Sequence, residues 1–287
     1  MVCQTKMVVP CKRICFSFDF PYVIILLRSK IMDKKYTEQQ QIGYFEVDSN
    51  LFLTPSALVF HLQDTAIRHS DSLGYTLDYM TEHHRGWAVV NWHIIIDHMP
   101  KCGETIKIVT WSSKCRRMQA ERCYLLYDQC GNIAAHIASR WIFMDLEERK
   151  PTTISNEMEQ KYGNTEITAI ANEKYKLPKL QKDDTIMERT FVVTRRDTDN
   201  NGHTNNVKYI EWAIDDIPDD IYNTMTISDI RVVYRKECYK GDTILSKCCV
   251  HTLENGIKEV ISFFEDGAGE GILFAEVVTQ WKNNAAL

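Results

Sequence analysis

Asp199-Asn200-Asn201-Gly202-His203-Thr204-Asn205-Asn206, followed by an apolar run at Val207, Ile210 and Ile214, occurs twice in this chain, once intact and once blunted. The blunted copy is Asp48-Ser49-Asn50-Leu51-Phe52-Leu53-Thr54-Pro55, followed by Leu58, Leu62 and Ala66. Asp199 aligns with Asp48, Asn201 with Asn50 and Asn205 with Thr54, all at an offset of 151 residues. His203 aligns with Phe52, so one copy keeps a titratable group where the other carries an aromatic ring. That asymmetry points to one working site in a duplicated fold.

Two further matches support the duplication. Lys101-Cys102-Gly103-Glu104-Thr105-Ile106 resembles Tyr239-Lys240-Gly241-Asp242-Thr243-Ile244 at an offset of 138, which sets Glu237-Cys238 opposite Met99-Pro100. Trp141 and Trp281, at an offset of 140, each follow an apolar run. Three matches in one order, with a drift of about a dozen residues, describe a tandem repeat of domain size rather than a solenoid repeat.

The repeat organises the rest of the chain. Each copy begins with a strand, Gln41 to Val47 or Met187 to Thr194, and continues with a turn rich in Asp and Asn. A helix follows. In the first copy Thr54 suits its N-cap and Pro55 its first position, while Leu58, Leu62, Thr65, Ala66 and His69 mark one buried face. Segments rich in β-branched and aromatic residues come next, Gly86 to Ile96, Thr105 to Ser112, Arg122 to Tyr127 and Ile133 to Phe143, and they read as strands. Strand, central helix, then antiparallel sheet is the order of a hotdog fold. The chain is therefore expected to be α+β, a tandem (double) hotdog in which an antiparallel sheet wraps a central helix in each half. Residues 37–146 form the first unit, 147–183 a polar linker with one short helix, and 184–287 the second, catalytic unit.

Composition narrows the function classes. With 44% hydrophobic and 25% charged residues among 287, the chain reads as an ordinary soluble globule. A net charge of −5 argues against broad nucleic-acid binding. Basic clusters at Lys114-Arg116-Arg117, Arg195-Arg196 and Arg235-Lys236 read as solvated strand ends or as a docking surface for an acidic partner. The ten cysteines include no CxxC and read as free thiols in a reducing cytoplasm. Residues 1–31 look foreign to the rest and read as a leader outside the fold, with Met32 the natural start; a targeting leader or signal anchor is the alternative. Their apolar run, Tyr22 to Leu27, is too short to span a bilayer, so no stable membrane insertion is expected.

Three stretches carry a resemblance to the acyl-acyl carrier protein thioesterases of plants and bacteria. They are Asp199-x-Asn201-x-His203-x-Asn205-Asn206-Val207-Lys208-Tyr209-Ile210-x-Trp212, Tyr234-Arg235-Lys236-Glu237-Cys238, and Gly103 to Trp111 with Ser139 to Met144 downstream. The match covers roughly residues 37 to 281. The resemblance implies hydrolysis of fatty acyl-carrier-protein thioesters to free fatty acid, with acyl carrier protein as partner. It implies functional roles for Asp199, Asn201, His203, Glu237 and Cys238, and a first repeat that serves mainly acyl-chain binding.

These residue types suit the chemistry. Thioester hydrolysis needs an activated water and stabilisation of a developing oxyanion. His203 or Glu237 can take the proton, His being better matched near neutral pH. Asn201 can donate to the carbonyl or fix the water, Asp199 can orient a neighbour, and the helix start near Val207 offers backbone N–H groups. Asn205 is the expected N-cap, with Asn206 beside it, and both are also candidate substrate-binding residues; Leu58, Leu62, Thr65 and Ile67 are candidates for lining an acyl tunnel. Cys238 is either a nucleophile or a small buried hydrophobe, and water attack is the favoured route. Taken singly, each residue has an ordinary structural reading: Asp199 and Asn201 close a turn, His203 is a satisfied histidine, Glu237 lies on a strand surface. No metal and no nucleotide or redox cofactor is expected. An acyl-CoA thioesterase, a non-catalytic acyl-binding module and a hotdog dehydratase are the competing functions. Monomer and homodimer both stay open, because the repeat already supplies the pairing that a single hotdog gains by dimerising.

Overall fold

The structure, a computed structural model, describes residues 34–171 and 177–283. The expectations for residues 1–31 and for the start at Met32 lie outside the described residues. The first half runs β1 (Tyr36–Gln41), α1 (Pro55–Ser72), α2 (Leu77–Glu82), β2 (Arg85–Ile96), β3 (Thr105–Arg116), β4 (Gln119–Tyr127) and β5 (Ile133–Asp145). A two-residue β6 (Lys150–Pro151) and α3 (Asn156–Tyr162) lead to the second half. That half holds β7 (Met187–Val192), α4 (Asn206–Asp215), α5 (Asp219–Thr224), β8 (Met225–Tyr234), β9 (Thr243–Thr252), β10 (Lys258–Asp266) and β11 (Leu273–Asn283).

The strands form one antiparallel sheet in the order β1-β3-β4-β5-β2-β8-β11-β10-β9-β7, with β6 attached to β5. The order reads the same from either edge once each strand is replaced by its repeat partner. The halves meet at β2 and β8, where Trp92 pairs with Val232 and Ile94 with Ile230. Both helices lie on one face of this sheet and pack against each other. Leu58 and Leu62 of α1, Val207 and Ile210 of α4, and Ile94 and Ile230 of the seam belong to one continuous core. Burying each such side chain contributes about 1.5–3 kcal/mol. Among the described residues no helix is long and apolar enough to cross a membrane.

The repeat is visible bond by bond. Thr54 caps α1 by accepting from the Ala57 N–H, and Asn205 caps α4 by accepting from the Val207 N–H. Trp141 donates its indole N–H to Ser139, and Trp281 donates to Thr279. The Ile42 N–H bonds the Glu104 carbonyl as the Val193 N–H bonds the Asp242 carbonyl.

The opening strand departs from the expected Gln41 to Val47. It is the polar segment Tyr36–Gln41, paired only with β3, and Tyr44–Glu46 form a 3-10 turn. An edge strand needs backbone partners on one side only, so an apolar sequence is not required there. The apolar pair that drew the reading, Tyr44 and Phe45, is 71% and 99% exposed. The segment between the halves also does more than span them. Met158 and Tyr162 of α3 pack with Tyr75, Met80 and Phe143 in a second cluster. Leu177 and Leu180 cover Ile261, Phe263 and Val278 on the outer face of the sheet.

Candidate active site

The site begins as a turn built the same way in both repeats. Asp199 Oδ1 accepts the backbone N–H groups of Asn201 (2.8 Å) and His203 (3.1 Å). Asp48 Oδ1 accepts those of Asn50 (2.9 Å) and Phe52 (3.0 Å). Aspartate favours such turns because its short carboxylate reaches N–H groups two residues on and beyond. The next position has positive φ in both copies, +79° at Gly202 and +64° at Leu51. Glycine takes this backbone freely, and leucine does so at a cost of about 1–2 kcal/mol. The intact copy thus has the residue its turn requires.

From this turn the chain crosses the extended segment that follows β8. His203 forms a β-bridge with Tyr239, as Phe52 does with Lys101, and the Thr204 N–H bonds the Cys238 carbonyl as the Leu53 N–H bonds that of Pro100. These pairings put Phe52 in the place of His203 and Met99 in that of Glu237. His203 Nδ1 stands 3.7 Å from Glu237 Oε1. The His203 ring meets Tyr239 edge-on at 5.1 Å between centroids. In the first repeat the corresponding pair is the Lys101 ammonium over the Phe52 ring, at 4.8 Å.

Glu237 has two further partners. The Tyr239 hydroxyl donates to Oε2 at 2.7 Å, and Arg149 Nη2 donates to the same oxygen at 2.5 Å and to the tyrosine oxygen at 2.8 Å. Arg149 lies between β5 and β6 with φ of +52°, so the first half supplies a cation to the second half's acid. Partial burial raises the Glu237 pKa, but the Tyr239 hydrogen bond and the charges of His203 and Arg149 outweigh it and leave the carboxyl below its ordinary 4.5. No local pattern marks Arg149, because it is 88 residues from Glu237 and outside both repeat motifs. Tyr239 was within reach, lying two residues past Glu237.

Extended backbone alternates its side chains, so Glu237 and Tyr239 face out while Cys238 turns inward. Cys238 is 1% exposed and belongs to the main core. Burial pushes its thiol up to about 11, which disfavours the thiolate a nucleophile needs.

A cavity of about 410 Å³ runs from this turn into the first half. Asp199, Asn201 and Asn206 form one wall; Ile67 of α1, Trp87 of β2 and Trp141 of β5 contribute to the rest. Of the expected substrate-binding residues, Ile67 and Asn206 are here. Leu58, Leu62 and Thr65 are not: all three are fully buried, facing the core. Their helix presents Leu58 and Leu62 to the sheet, while Ile67 falls on a side that the second half leaves open. Asn205 is occupied as the helix cap. The Val207 N–H, expected as an oxyanion donor, is held by Asn205 Oδ1, and the Lys208 N–H by the Asn205 carbonyl. The Asn206 N–H has no acceptor among the described residues.

Away from this site, Asp184, Cys249 and His251 place ligand-type atoms within 4.8 Å of one another. His251 Nε2 pairs with Asp184 Oδ1 at 2.8 Å, tying the inter-repeat segment to β9. The sequence hid this cluster because Asp184 is remote from the strand. The seven cysteines among the described residues are free thiols.

Family models for the N-terminal and C-terminal domains of acyl-ACP thioesterases match residues 33–162 and 180–283. Oleoyl-acyl carrier protein thioesterase 1 of Arabidopsis thaliana is 28% identical over 224 residues, 73% of this chain and 62% of that protein. Dodecanoyl-[acyl-carrier-protein] hydrolase of Umbellularia californica is 28% identical over 217 residues, 71% of this chain and 56% of that protein. The chain spans about half to three fifths of the length of the curated relatives it matches. Among solved structures, an acyl-ACP thioesterase from Bacteroides thetaiotaomicron superposes with a TM-score of 0.75 at 24% identity, covering 88% of this chain and 99% of that one. The 12:0-ACP thioesterase from Umbellularia californica gives 0.75 at 24% identity, over 87% of this chain and 94% of its own. The fold is that of the double hotdog, and with both domain models matched in order along it, the chain belongs to the acyl-ACP thioesterase family.

Proposed function

We propose that this protein hydrolyses fatty acyl-carrier-protein thioesters, releasing free fatty acid and the carrier thiol. The observation that carries the reading is the His203–Glu237 pair, adjoining the turn whose Asp199 and Asn201 line a cavity, and replaced by Phe52 and Met99 in the other repeat. With Nδ1 turned to the carboxylate, His203 Nε2 takes a proton from water as the water oxygen attacks the thioester carbonyl carbon. Glu237, held ionised by Tyr239 and Arg149, stabilises the imidazolium. The Asn201 side-chain amide and the Asn206 N–H receive the carbonyl oxygen as it becomes anionic. Collapse of the tetrahedral intermediate breaks the carbon–sulfur bond, and the leaving sulfur takes the proton from His203. Asp199 shapes the turn that sets Asn201 and His203. The first repeat holds the acyl chain.

Support for a carrier protein comes from the names of the relatives and from Arg195, Arg196, Lys236 and Lys240, exposed basic residues flanking the motif and the Glu237 segment. Acyl-CoA is the second reading, because the same pair would cleave it. Free-thiol release from matched acyl carrier protein and acyl-CoA substrates tests both. Turnover on the carrier protein, with KM rising when Arg195 and Arg196 are changed to Glu, is the expected result. No release above that of His203→Ala on either carrier overturns the hydrolase reading. Equal use of CoA, with no response to the charge reversal, shifts the substrate to acyl-CoA.

A further inference from the structure

The first-half wall of the cavity, apolar over much of its extent through Met80, Trp87, Val89 and Trp141, carries one buried polar patch. Arg122 of β4 reaches into it, only 8% exposed. Its Nη1 donates to His69 Nδ1 at 2.8 Å and to Thr110 Oγ1 at 3.3 Å, and no described carboxylate pairs with it. Burial, and then the Arg122 charge, hold the His69 pKa at about 3, so the histidine offers a lone pair and no charge. Ser112 stands directly across from Arg122 on β3, is 2% exposed, and its hydroxyl has no hydrogen-bond partner among the described residues. The side-chain amide nitrogen of Gln63, from α1, lines the same cavity and is also without a partner.

A buried guanidinium without a counter-ion is costly, and so is an unsatisfied buried hydroxyl. A methyl-ended chain would strip water from these groups and return nothing. The free atoms are a guanidinium, an amide nitrogen and a hydroxyl that can donate. A donor set of that kind fits a group that only accepts.

We propose that Arg122, Ser112 and Gln63 form a subsite for a carboxylate carried by the acyl chain remote from the thioester, so that the favoured substrate is a dicarboxylic half-thioester. This rests on the thioesterase reading above and adds the substrate class. It also explains why a cation is kept beneath α1 with only neutral partners.

The test compares kcat/KM for thioesters on one carrier, matched in length and ending in either methyl or carboxylate. At the best length the carboxylate-ended chain should be preferred by about tenfold or more, as sites built to bond a polar group reject the analogue lacking it. Arg122→Met should abolish that preference; Ser112→Ala should reduce it. Preference for methyl-ended chains at every length, or a carboxylate preference unchanged in Arg122→Met, overturns the proposal while the hydrolase reading stands. If Arg122→Met fails to fold by circular dichroism, the wild-type comparison and Ser112→Ala decide. If no thioester is cleaved, the hydrolase reading fails. The subsite is then judged by thermal shift with free dicarboxylic acids against monocarboxylic acids of equal length, where stabilisation by the diacids alone supports it and equal responses refute it.

Discussion

Asp48 and Asp199 accept equivalent pairs of backbone hydrogens, yet only the second stands beside a histidine and a glutamate. Bonds shared by the repeats are scaffold; the residues that differ, His203 for Phe52 and Glu237 for Met99, are the ones we propose as catalytic. His203→Ala and Glu237→Gln should therefore each lower kcat/KM by about two orders of magnitude or more, the scale of positioned acid–base groups. Cys238→Ala should keep most of the activity, since its thiol is buried and held protonated. A covalent acyl adduct on Cys238, forming and decaying as fast as turnover in quenched mass spectrometry, would reverse that assignment. Arg149 lends itself to a pH measurement. Its charge is one of the influences that lower the Glu237 pKa, so Arg149→Met should raise it. The Glu237 carboxyl, followed by NMR, should then titrate at higher pH than in wild type. An unmoved titration would show that Arg149 does not act on Glu237.

Helix α1 is fixed to the sheet by more than its apolar stripe, since His69 in its last turn receives Arg122 from β4. The His69 pKa falls from an ordinary 6.5 to about 3 on folding, chiefly through burial. The unfolded chain then binds the extra proton between those values. The stability contributed is complete above about pH 6.5 and is lost as pH falls toward 3, by up to about 1.4 kcal/mol per pH unit for one proton. His69→Gln keeps an acceptor for Arg122 but does not titrate. Melting temperatures across pH 4 to 7 should fall more steeply for wild type than for this variant. Parallel slopes would mean that His69 titrates normally in the folded protein.

The two halves share one core and one seam, so neither completes itself alone. Cutting between them exposes β2 and β8 as open sheet edges, along with the facing sides of α1 and α4. A fragment of residues 184–287 should thus be unfolded or self-associated, because an unpaired edge beside apolar surface recruits another chain. A monomeric, cooperatively melting fragment by ultracentrifugation and calorimetry would show that the seam is dispensable. The same joining explains why the candidate site is composite: Arg149 and the cavity's far wall come from the first half, Glu237 and His203 from the second.

The duplication and the capped helices were legible in the chain because each rests on local order, and the same repeat pattern singled out Asn201, His203 and Glu237 as candidates. A turn needs Asp at a fixed offset, a helix needs its cap and stripe, and a repeat that loses its chemistry still keeps these. The opening strand was misplaced because an edge strand needs little apolar sequence to mark it. Tertiary structure alone decided what depends on which distant segments meet. Arg149 reaches Glu237 across 88 residues of sequence. Arg122 is buried beneath α1 because β4 passes there, and Ile67 rather than Leu58 or Leu62 faces the cavity. Spacing within one segment sets backbone and face; charge pairing and cavity walls depend on packing between segments that no local pattern records.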